Sequence, residues 1–195
     1  MNINEYQNYH ETKAHTSAEF PYNTYLCSIP LDFPGVPLHW HDELELVVIK
    51  RGQGFVSVDF DKRLVHSGDI IIIPPRCLHA IEQDDTFKME YENIIFKPDL
   101  LSSGANDLCM IQYIVPLLDG SLPIEYFLTP ALGSFEALSN CIRQIDLVCA
   151  DQTPGWQLAV KSSLFNFFFL LISERQKKTV STSSNSKSLE KMKTV

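Results

Sequence analysis

Short runs of β-branched and aromatic residues, separated by turn-forming residues, fill the chain between Tyr22 and Phe96. Residues 55–60 and 87–92 partly alternate apolar and polar positions, which is the period of a strand with one buried face. Four consecutive isoleucines at 70–73 predict a strand buried on both faces. Several short strands at spacings of about 8–12 residues are typical of a sandwich or barrel, so we expect mainly β structure here.

The apolar period lengthens beyond Pro98. We expect short helical pieces at 99–103 and 107–118, and a last extended segment at 122–130. Residues 134–150 place Leu138, Ile142 and Ile145 on one face of a helix. Pro154 suits the first turn of a second helix, which we expect to end near Gln176. The sequence therefore predicts a β domain followed by a pair of helices.

The second predicted helix is apolar around much of its circumference, with Phe167 in the apolar stripe and Phe165 and Phe169 widening it. So broad a surface must be covered by the barrel or by another subunit. We favour a homodimer through the C-terminal helices. The expected interface residues are Trp156, Val160, Leu164, Phe168 and Leu171.

Four regions follow from these patterns. Residues 1–20 are polar and aperiodic, which predicts a flexible leader, and we expect its histidines, His10 and His15, to be at the surface, like His66 near a turn. We assign residues 21–130 to a ligand-binding β-barrel and 131–176 to a helical dimerisation segment. Residues 177–188 have the composition of a linker. Leu189, Met192 and Val195 then begin a new helical spacing, so we expect 177–195 to join the barrel and helices to a further domain.

The charge is unevenly distributed. The chain has a net charge of −8, but residues from Glu174 onward contribute +4, which leaves −12 on the rest. A body this acidic repels phosphate, so we do not expect it to bind nucleic acid by itself. Five scattered cysteines without a CxxC motif argue against a disulfide framework or a structural zinc knuckle. No signal peptide is evident, and the longest apolar stretch, 164–172, is interrupted by Asn166 and is shorter than the roughly 20 residues that cross a bilayer, so we expect a cytoplasmic protein without a membrane partner.

Candidate chemistry lies in the segment that contains His39, His41 and Glu45. Residues two apart on a strand share a face, so these three side chains would point to one side, joined by Glu43 if the strand stays regular. Trp40 and Leu44 would serve the core on the other face. Burying imidazoles and a carboxylate is costly unless they are paired, hydrated or bound to something, so the pattern indicates a site.

A second segment would bring His79 to the same cavity. Gly68 and Asp69 form a turn, the isoleucine strand follows, and Pro74 and Pro75 end it, which places His79 on the next strand. Arg76 at the barrel mouth would clamp an anionic ligand or be solvated, and Tyr91 would line the cavity or pack in the core. We include both, with Glu43, among the candidate ligand-binding residues.

Three interpretations of His39, His41, Glu45 and His79 remain open. The first is a divalent transition metal (Zn, Ni, Fe, Mn or Cu), for which imidazoles and a carboxylate are suitable ligands. The second is a metal-free polar cavity that binds a small effector. The third is a satisfied polar cluster without a direct function.

The spacing of these residues resembles the two signature motifs of the cupin superfamily. The first motif, HxH-x3-E-x6-G, runs from His39 to Gly52, and the second, G-x5-P-x4-H, runs from Gly68 to His79. The resemblance implies a jelly-roll barrel, a double-stranded β-helix, with His39, His41, Glu45 and His79 on that family's metal-ligand positions. Arg76 departs from the glycine usual at its position in the second motif, and Gln83 from the asparagine.

The order of the segments is also similar to the N-terminal regulatory half of AraC-like transcription regulators. A cupin-like segment precedes F-x-P-x-L-L (Phe96, Pro98, Leu100, Leu101), two helices and a polar linker. The resemblance implies an effector-binding and dimerisation module that is not an enzyme and requires no cofactor, with DNA contacted only through a helix-turn-helix domain beyond the chain. The alternative is a cupin metalloenzyme of the dioxygenase or isomerase type that uses the three histidines and Glu45.

Overall fold

The computed structural model describes the backbone of residues 2–104 and 107–192, with the side chains of these residues up to Arg175 except Asn4. The chain divides into two compact units, residues 1–132 and 133–195. The first contains the strands, and the second contains two long helices.

The described part of the first unit contains eight strands and two short α-helices. The strands pair antiparallel in the orders β1-β7-β3-β5-β8 and β2-β6-β3-β4. The fold is the expected cupin-type barrel followed by C-terminal helices. The elements are α1 (Ile3–Gln7), β1 (Tyr22–Ile29), β2 (Gly35–His39), β3 (Leu44–Val58), β4 (Asp61–His66), β5 (Ile70–Ile73), β6 (His79–Gln83), β7 (Met89–Phe96), α2 (Val115–Leu118) and β8 (Phe127–Leu128).

Strand β3 belongs to both sheets. Its first half pairs with β5 and β7, and its second half pairs with β4 and β6. The change occurs near Gly52, whose φ is +77°, and a Cβ at this position would lie 1.8 Å from the carbonyl oxygen of Lys88. Only glycine fits this backbone conformation and close approach. The last residue of the first cupin-like motif is therefore required by the bend that closes the barrel.

The barrel core lies between the two sheets. All four isoleucines of β5 are fully buried, as the unbroken apolar run predicted. Aliphatic side chains from alternate positions of β3, including Val47, Ile49 and Val56, meet Ile81 of β6 in one cluster. After β7 the chain forms a 3-10 turn at Pro98–Leu101 and a π-helical turn at Met110–Ile114, near the expected helical pieces. The last extended segment shortens to the two residues of β8.

The leader contacts the barrel, contrary to the expectation of a flexible segment. The Trp40 ring stacks between Tyr6 and His10, at centroid distances of 4.8 and 4.1 Å. The Tyr6 hydroxyl donates a hydrogen bond to the carbonyl of Arg76. A polar, aperiodic sequence gives no indication of this attachment, because one aromatic stack and a few backbone hydrogen bonds supply it.

The second unit consists of α3 (Phe135–Asp151) and α4 (Trp156–Met192), which pack against each other. The turn between them uses Gln152 and Gly155, both with positive φ. α3 agrees with the predicted helix, but α4 continues through 177–188, where the composition predicted a linker. No glycine or proline interrupts residues 156–192, so nothing in the sequence ends the helix.

The faces of α4 differ from the predicted dimer interface. Val160, Leu164, Phe168 and Leu171 are each no more than 4% exposed within this single chain, and Trp156 is half-buried. These five residues were expected to cover a partner, but four of them already pack inside the chain. Among the described side chains of α4, up to Arg175, the large apolar ones that remain exposed are Leu158, Phe165 and Phe169.

One stretch of α4 has the length and composition of a membrane span. Trp156–Arg175 contains 18 consecutive residues with a mean hydropathy of 1.3, of which 28% are buried. It is the one such stretch in the part of the chain that the structure describes. The expectation that no segment is long enough therefore holds only for the shorter apolar stretch at 164–172. Core helices of soluble proteins also meet this criterion.

Candidate functional site

Two connections between strands position the four predicted site residues. His39 ends β2 and His79 begins β6, and the two are directly paired across these strands. His41 lies in the link between β2 and β3, and Glu45 is the second residue of β3. The prediction that His39, His41 and Glu45 lie on one strand is wrong, because residues 40–43 leave the sheet. The side chains nevertheless converge in one cluster.

The cluster is compact and almost fully buried. The Glu45 Oε2 atom lies 3.1 Å from His41 Nε2 and 3.3 Å from His79 Nε2. His39 and His79 have ring centroids 4.1 Å apart. One ring nitrogen from each of the three histidines lies within 4.8 Å of the others.

Backbone carbonyls determine where His39 and His79 hold their protons. The Nδ1 atom of His39 lies 2.9 Å from the Pro37 carbonyl oxygen, and that of His79 lies 2.9 Å from the Cys77 carbonyl oxygen. A carbonyl oxygen only accepts hydrogen bonds, so Nδ1 carries the proton, and Nε2 of the neutral ring presents a lone pair. These lone pairs are directed into the cluster, where carboxylate oxygens also converge. The arrangement therefore calls for a proton or a metal cation.

The electrostatics of the cluster favour opposite charges on His41 and Glu45. Burial alone would raise the pKa of Glu45, but His41 and His79 outweigh it and lower the pKa well below its usual range. Burial also opposes the charged form of His41, but the hydrogen bond and charge of Glu45 raise its pKa. Burial and the neighbouring His79 lower the pKa of His39. Without a metal, these shifts favour a protonated His41 beside an ionised Glu45.

The cluster forms one wall of a cavity of about 230 Å³ inside the barrel. Burial, with Cys27 and Glu45 nearby, raises the pKa of Tyr91, so its hydroxyl keeps its proton. The cavity is lined by Glu11, Lys13, His15, Tyr25, Cys27, Phe33, Val36, His39, His41, Glu45, His79, Ile81, Tyr91, Asn93 and Ile95.

Several buried polar atoms of these lining residues have no hydrogen-bond partner among the described residues. Native proteins satisfy nearly all such groups with protein, water or ligand. The atoms are His15 Nδ1, His41 Nδ1, His79 Nε2, Tyr91 Oη and Asn93 Oδ1. They are spread around the cavity, which is therefore built to surround a polar occupant.

The leader supplies three lining residues that the sequence did not predict: Glu11, Lys13 and His15. His15 was expected at the surface, but it is only 8% exposed, and its Nε2 lies 2.9 Å from Glu11 Oε2. Burial alone would raise the pKa of Glu11, but the hydrogen bond to His15 and the nearby histidines together outweigh it and lower the pKa. The one hint in the sequence is the density of titratable residues between His10 and His15, which strand patterning does not detect.

Two predicted ligand-binding residues lie outside this cavity. Glu43 is buried beside His41, with its Oε2 3.7 Å from His41 Nδ1, but it does not line the cavity. The Arg76 side chain is 73% exposed and pairs with Asp42 at 2.8 Å, on a wider cleft of about 700 Å³. Its φ of +66° explains why the motif usually has glycine there.

His39, His41, His79 and Glu45 fit a divalent transition metal. Imidazole and carboxylate are ligands of zinc, manganese, nickel and iron. The Nδ1 hydrogen bonds to Pro37 and Cys77 are the outer contacts that fix the tautomer of metal-binding histidines.

The comparisons with known proteins are consistent with this architecture. A family model described as the AraC-like ligand binding domain matches residues 25–168. The uncharacterized HTH-type transcriptional regulator YdeC of Bacillus subtilis (strain 168) is 32% identical over 159 residues, 81% of this chain and 54% of that protein. The uncharacterized HTH-type transcriptional regulator YbfI of the same organism is 26% identical over 72 residues, 37% of this chain and 26% of that protein. The chain thus spans about half of one relative and a quarter of the other.

Solved structures that resemble the chain include a cupin protein and an oxalate decarboxylase. A cupin protein from Bacteroides fragilis is 24% identical, covers 45% of this chain and 80% of its own, and has a TM-score of 0.39. Oxalate decarboxylase from Bacillus subtilis, which has Mn(II) centres, is 20% identical over 40% of this chain and 21% of its own, with a TM-score of 0.34. Since the family model spans well over half of the chain, the chain belongs to the family of AraC-like ligand-binding domains.

Proposed function

We propose that the chain is the small-molecule effector-binding and dimerisation module of an AraC-like transcriptional regulator. The observation that carries the proposal is the buried cavity with its unsatisfied polar atoms. The family and the two regulator relatives support the regulatory role. The acidic body of the chain supports DNA contact through another part of the regulator.

The cavity indicates the kind of effector. Its volume of about 230 Å³ is below the roughly 300–1,000 Å³ of sites for drug-sized ligands. Tyr91 offers a hydroxyl donor and Asn93 an amide, whereas Phe33, Val36 and Ile81 provide an apolar wall. We therefore expect a small polar molecule with several hydrogen-bonding groups and one apolar face.

A thermal-shift screen of small sugars, amino acids and carboxylic acids tests this expectation. A true effector raises the melting temperature by mass action, and its affinity falls in Tyr91→Phe, which removes only the hydroxyl. Tyr113→Phe is the matched control, because Tyr113 is 42% exposed and does not line the cavity. Equal affinity of a hit for wild type and Tyr91→Phe would place its binding elsewhere.

The exposed face of α4 is the surface through which we expect two copies of the chain to dimerise. Leu158, Phe165 and Phe169 are 74%, 37% and 64% exposed, and their spacings of seven and four residues place them on one side of the helix. A stripe of this kind pairs well with an identical helix from a second chain. This arrangement keeps the predicted homodimer through the C-terminal helices but exchanges the residues that form it. It is also compatible with a cytoplasmic regulator, which needs no membrane partner.

A second candidate function is divalent metal binding by His39, His41, His79 and Glu45. The observation that favours it is the convergence of the His39 and His79 Nε2 lone pairs on carboxylate oxygens. A bound metal would polarise an oxygen atom of an effector, or of a substrate if the chain were a metalloenzyme of the dioxygenase or isomerase type. The regulator relatives favour the effector module over the enzyme.

Elemental analysis tests the metal. Protein purified without an affinity metal and then dialysed against Zn²⁺ or Mn²⁺ should hold close to one equivalent, and His79→Gln should hold much less. His66→Gln is the control, because His66 is exposed and remote from the cluster. Metal retained equally by all three proteins would exclude this site.

A further inference from the structure

The leader adds a carboxylate to the histidine cluster, and this contact has no counterpart in the two cupin-like motifs. We propose that Glu11 is a further ligand of the divalent metal held by His39, His41, His79 and Glu45, so that metal binding fastens the leader to the barrel. The inference rests on the metal binding proposed above and extends it to a residue outside both motifs.

Glu11 places a carboxylate oxygen beside one histidine of the cluster. Its Oε2 lies 3.5 Å from His39 Nε2, similar to the 3.1 and 3.3 Å that separate Glu45 Oε2 from His41 Nε2 and His79 Nε2. Two ligand atoms about 2.1 Å from one metal are about 3.0–3.4 Å apart in octahedral or tetrahedral geometry. The lone pair of His39 Nε2 therefore faces Glu11 at nearly the separation of neighbouring metal ligands.

His15 positions this carboxylate. Its Nε2 lies 2.9 Å from the same Oε2 atom of Glu11, and its ring is 5.6 Å from that of His41. The His15 carbonyl in turn accepts a hydrogen bond from Asn23 Nδ2 at 2.9 Å, which ties this part of the leader to β1. A buried imidazole that orients a metal-binding carboxylate is a typical outer contact of a metal site.

The backbone sets the register of Glu11. The N–H of Glu11 donates to the Trp40 carbonyl and the N–H of Trp40 donates to the Tyr9 carbonyl, both at 2.9 Å. These two hydrogen bonds place Glu11 next to the end of β2, where His39 lies. The contact is therefore part of a defined bridge between the leader and the barrel.

The consequence is a reciprocal coupling. If docking of the leader raises the affinity for the metal by some factor, the metal must raise the docking equilibrium by the same factor. The docking of the leader would then depend on whether the cluster holds a metal, because the bond from Glu11 to the metal joins the leader to the barrel.

The first test compares metal affinities. Zn²⁺ and Mn²⁺ are titrated separately into metal-free wild type, Glu11→Gln and Glu19→Gln by calorimetry. Glu11→Gln should lose affinity on the order of 10–100-fold, the range seen when groups supporting a metal site are removed. Glu19→Gln removes an exposed carboxylate from the same leader and should bind like wild type.

The second test follows the leader itself. Lys13 is the single lysine or arginine among residues 1–20, so trypsin releases residues 1–13 at one bond, detectable by mass spectrometry. The metal should slow this cleavage in wild type and in Glu19→Gln, but not in Glu11→Gln at a metal concentration that saturates it.

The outcomes separate the proposals. If wild type binds neither metal, both this inference and the metal site are overturned, while the effector module is unaffected. If wild type and Glu11→Gln bind the metals equally, or if the metal protects Lys13 equally in both, the metal site stands and the role of Glu11 is overturned.

Discussion

The interiors of the two units differ in kind. The barrel unit buries His15, His41, Glu43, Glu45, Asp69 and His79, whereas the described residues of the helical unit bury only hydrophobic side chains. Burying charged groups is costly unless they are paired, so a fold that needed stability alone would use the apolar interior of the helices. The difference indicates that the barrel gives up some stability for binding, and that the helices provide packing.

Asp69 refines this contrast. Its carboxylate accepts a hydrogen bond from the backbone N–H of His66 at 2.8 Å, which holds the turn before β5. It is therefore a structural buried carboxylate, unlike Glu45, whose partners are other titratable groups of the cavity. The buried carboxylate that marks the site is therefore the one whose neighbours are the titratable side chains of the cavity.

The largest expected effect compares two neighbouring phenylalanines of α4. Phe168 is 1% exposed and Phe169 is 64% exposed. Phe168→Ala should lower the free energy of unfolding by about 3–5 kcal/mol through the cavity it creates. Phe169→Ala should change it by about 0.5 kcal/mol or less when monomers are compared. Urea denaturation measures both, and equal losses would contradict the assignment of the two faces.

The next effect removes charge from the barrel. Glu45→Gln leaves His41 without its ion pair, so we expect a loss of about 1–3 kcal/mol in unfolding free energy. The metal-free protein is compared by urea denaturation with Glu90→Gln, a partly exposed carboxylate on β7 that should change little. If Glu45→Gln left the free energy of unfolding unchanged, the cluster would carry no ion pair in the native state.

The pH dependence of the metal-free protein sharpens the same point. The raised pKa of His41 gives a stabilisation that is fully present below its ordinary value of 6.5 and is lost as the pH rises through the higher folded value. The lowered pKa of Glu45 gives one that is present above 4.5 and is lost as the pH falls through the lower folded value.

Wild type should therefore lose stability between pH 6 and pH 9, and His41→Gln should lose less over the same interval. Chemical denaturation of both proteins at the two values measures the difference in slope. Identical slopes would show that His41 is not charged in the folded protein.

A smaller effect on stability, but a clear one on assembly, is expected at the exposed face of α4. Phe169→Asp should shift a dimer to a monomer in sedimentation velocity while leaving the circular dichroism spectrum unchanged. Glu136→Gln, an exposed change on α3, is the control. A folded dimer in Phe169→Asp would exclude this face as the interface.

The smallest effect is expected for Arg76→Gly. Glycine relieves the positive φ of Arg76 but removes its exposed pair with Asp42, so the two contributions, each about 1 kcal/mol or less, nearly cancel. Effector and metal affinities should be unchanged, because Arg76 does not line the cavity. A clear loss of effector or metal affinity, measured by calorimetry, would show that Arg76 takes part in binding.

The sequence predicted those parts of the fold that follow from local pattern. The isoleucine strand β5 and the face of α3 that carries Leu138 and Ile142 follow from periodicity. The cupin-like spacing located His39, His41, Glu45 and His79. However, His39, His41 and Glu45 lie at the end of β2, in the β2–β3 link and at the start of β3 rather than on one strand. Spacing along the chain limits which side chains can meet, but the path of residues 40–43 depends on tertiary contacts.

The missed features depend on contacts between distant segments. Glu11 and His15 reach the cavity because Trp40 holds the leader in place, and no local period records such a stack. The apolar pattern of α4 could not show which face packs within the chain and which stays exposed, because both faces are apolar. Only packing determines that Phe168 is buried and Phe169 is not.

The stack that holds the leader also gives the protein an optical reporter. The chain contains two tryptophans, and one of them, Trp40, is enclosed between leader rings and is 6% exposed. Release of the leader would expose its indole to water and move its fluorescence to longer wavelength. In a Trp156→Phe background, Trp40 would be the single tryptophan. The wavelength of its emission maximum would therefore measure leader docking continuously, without any label.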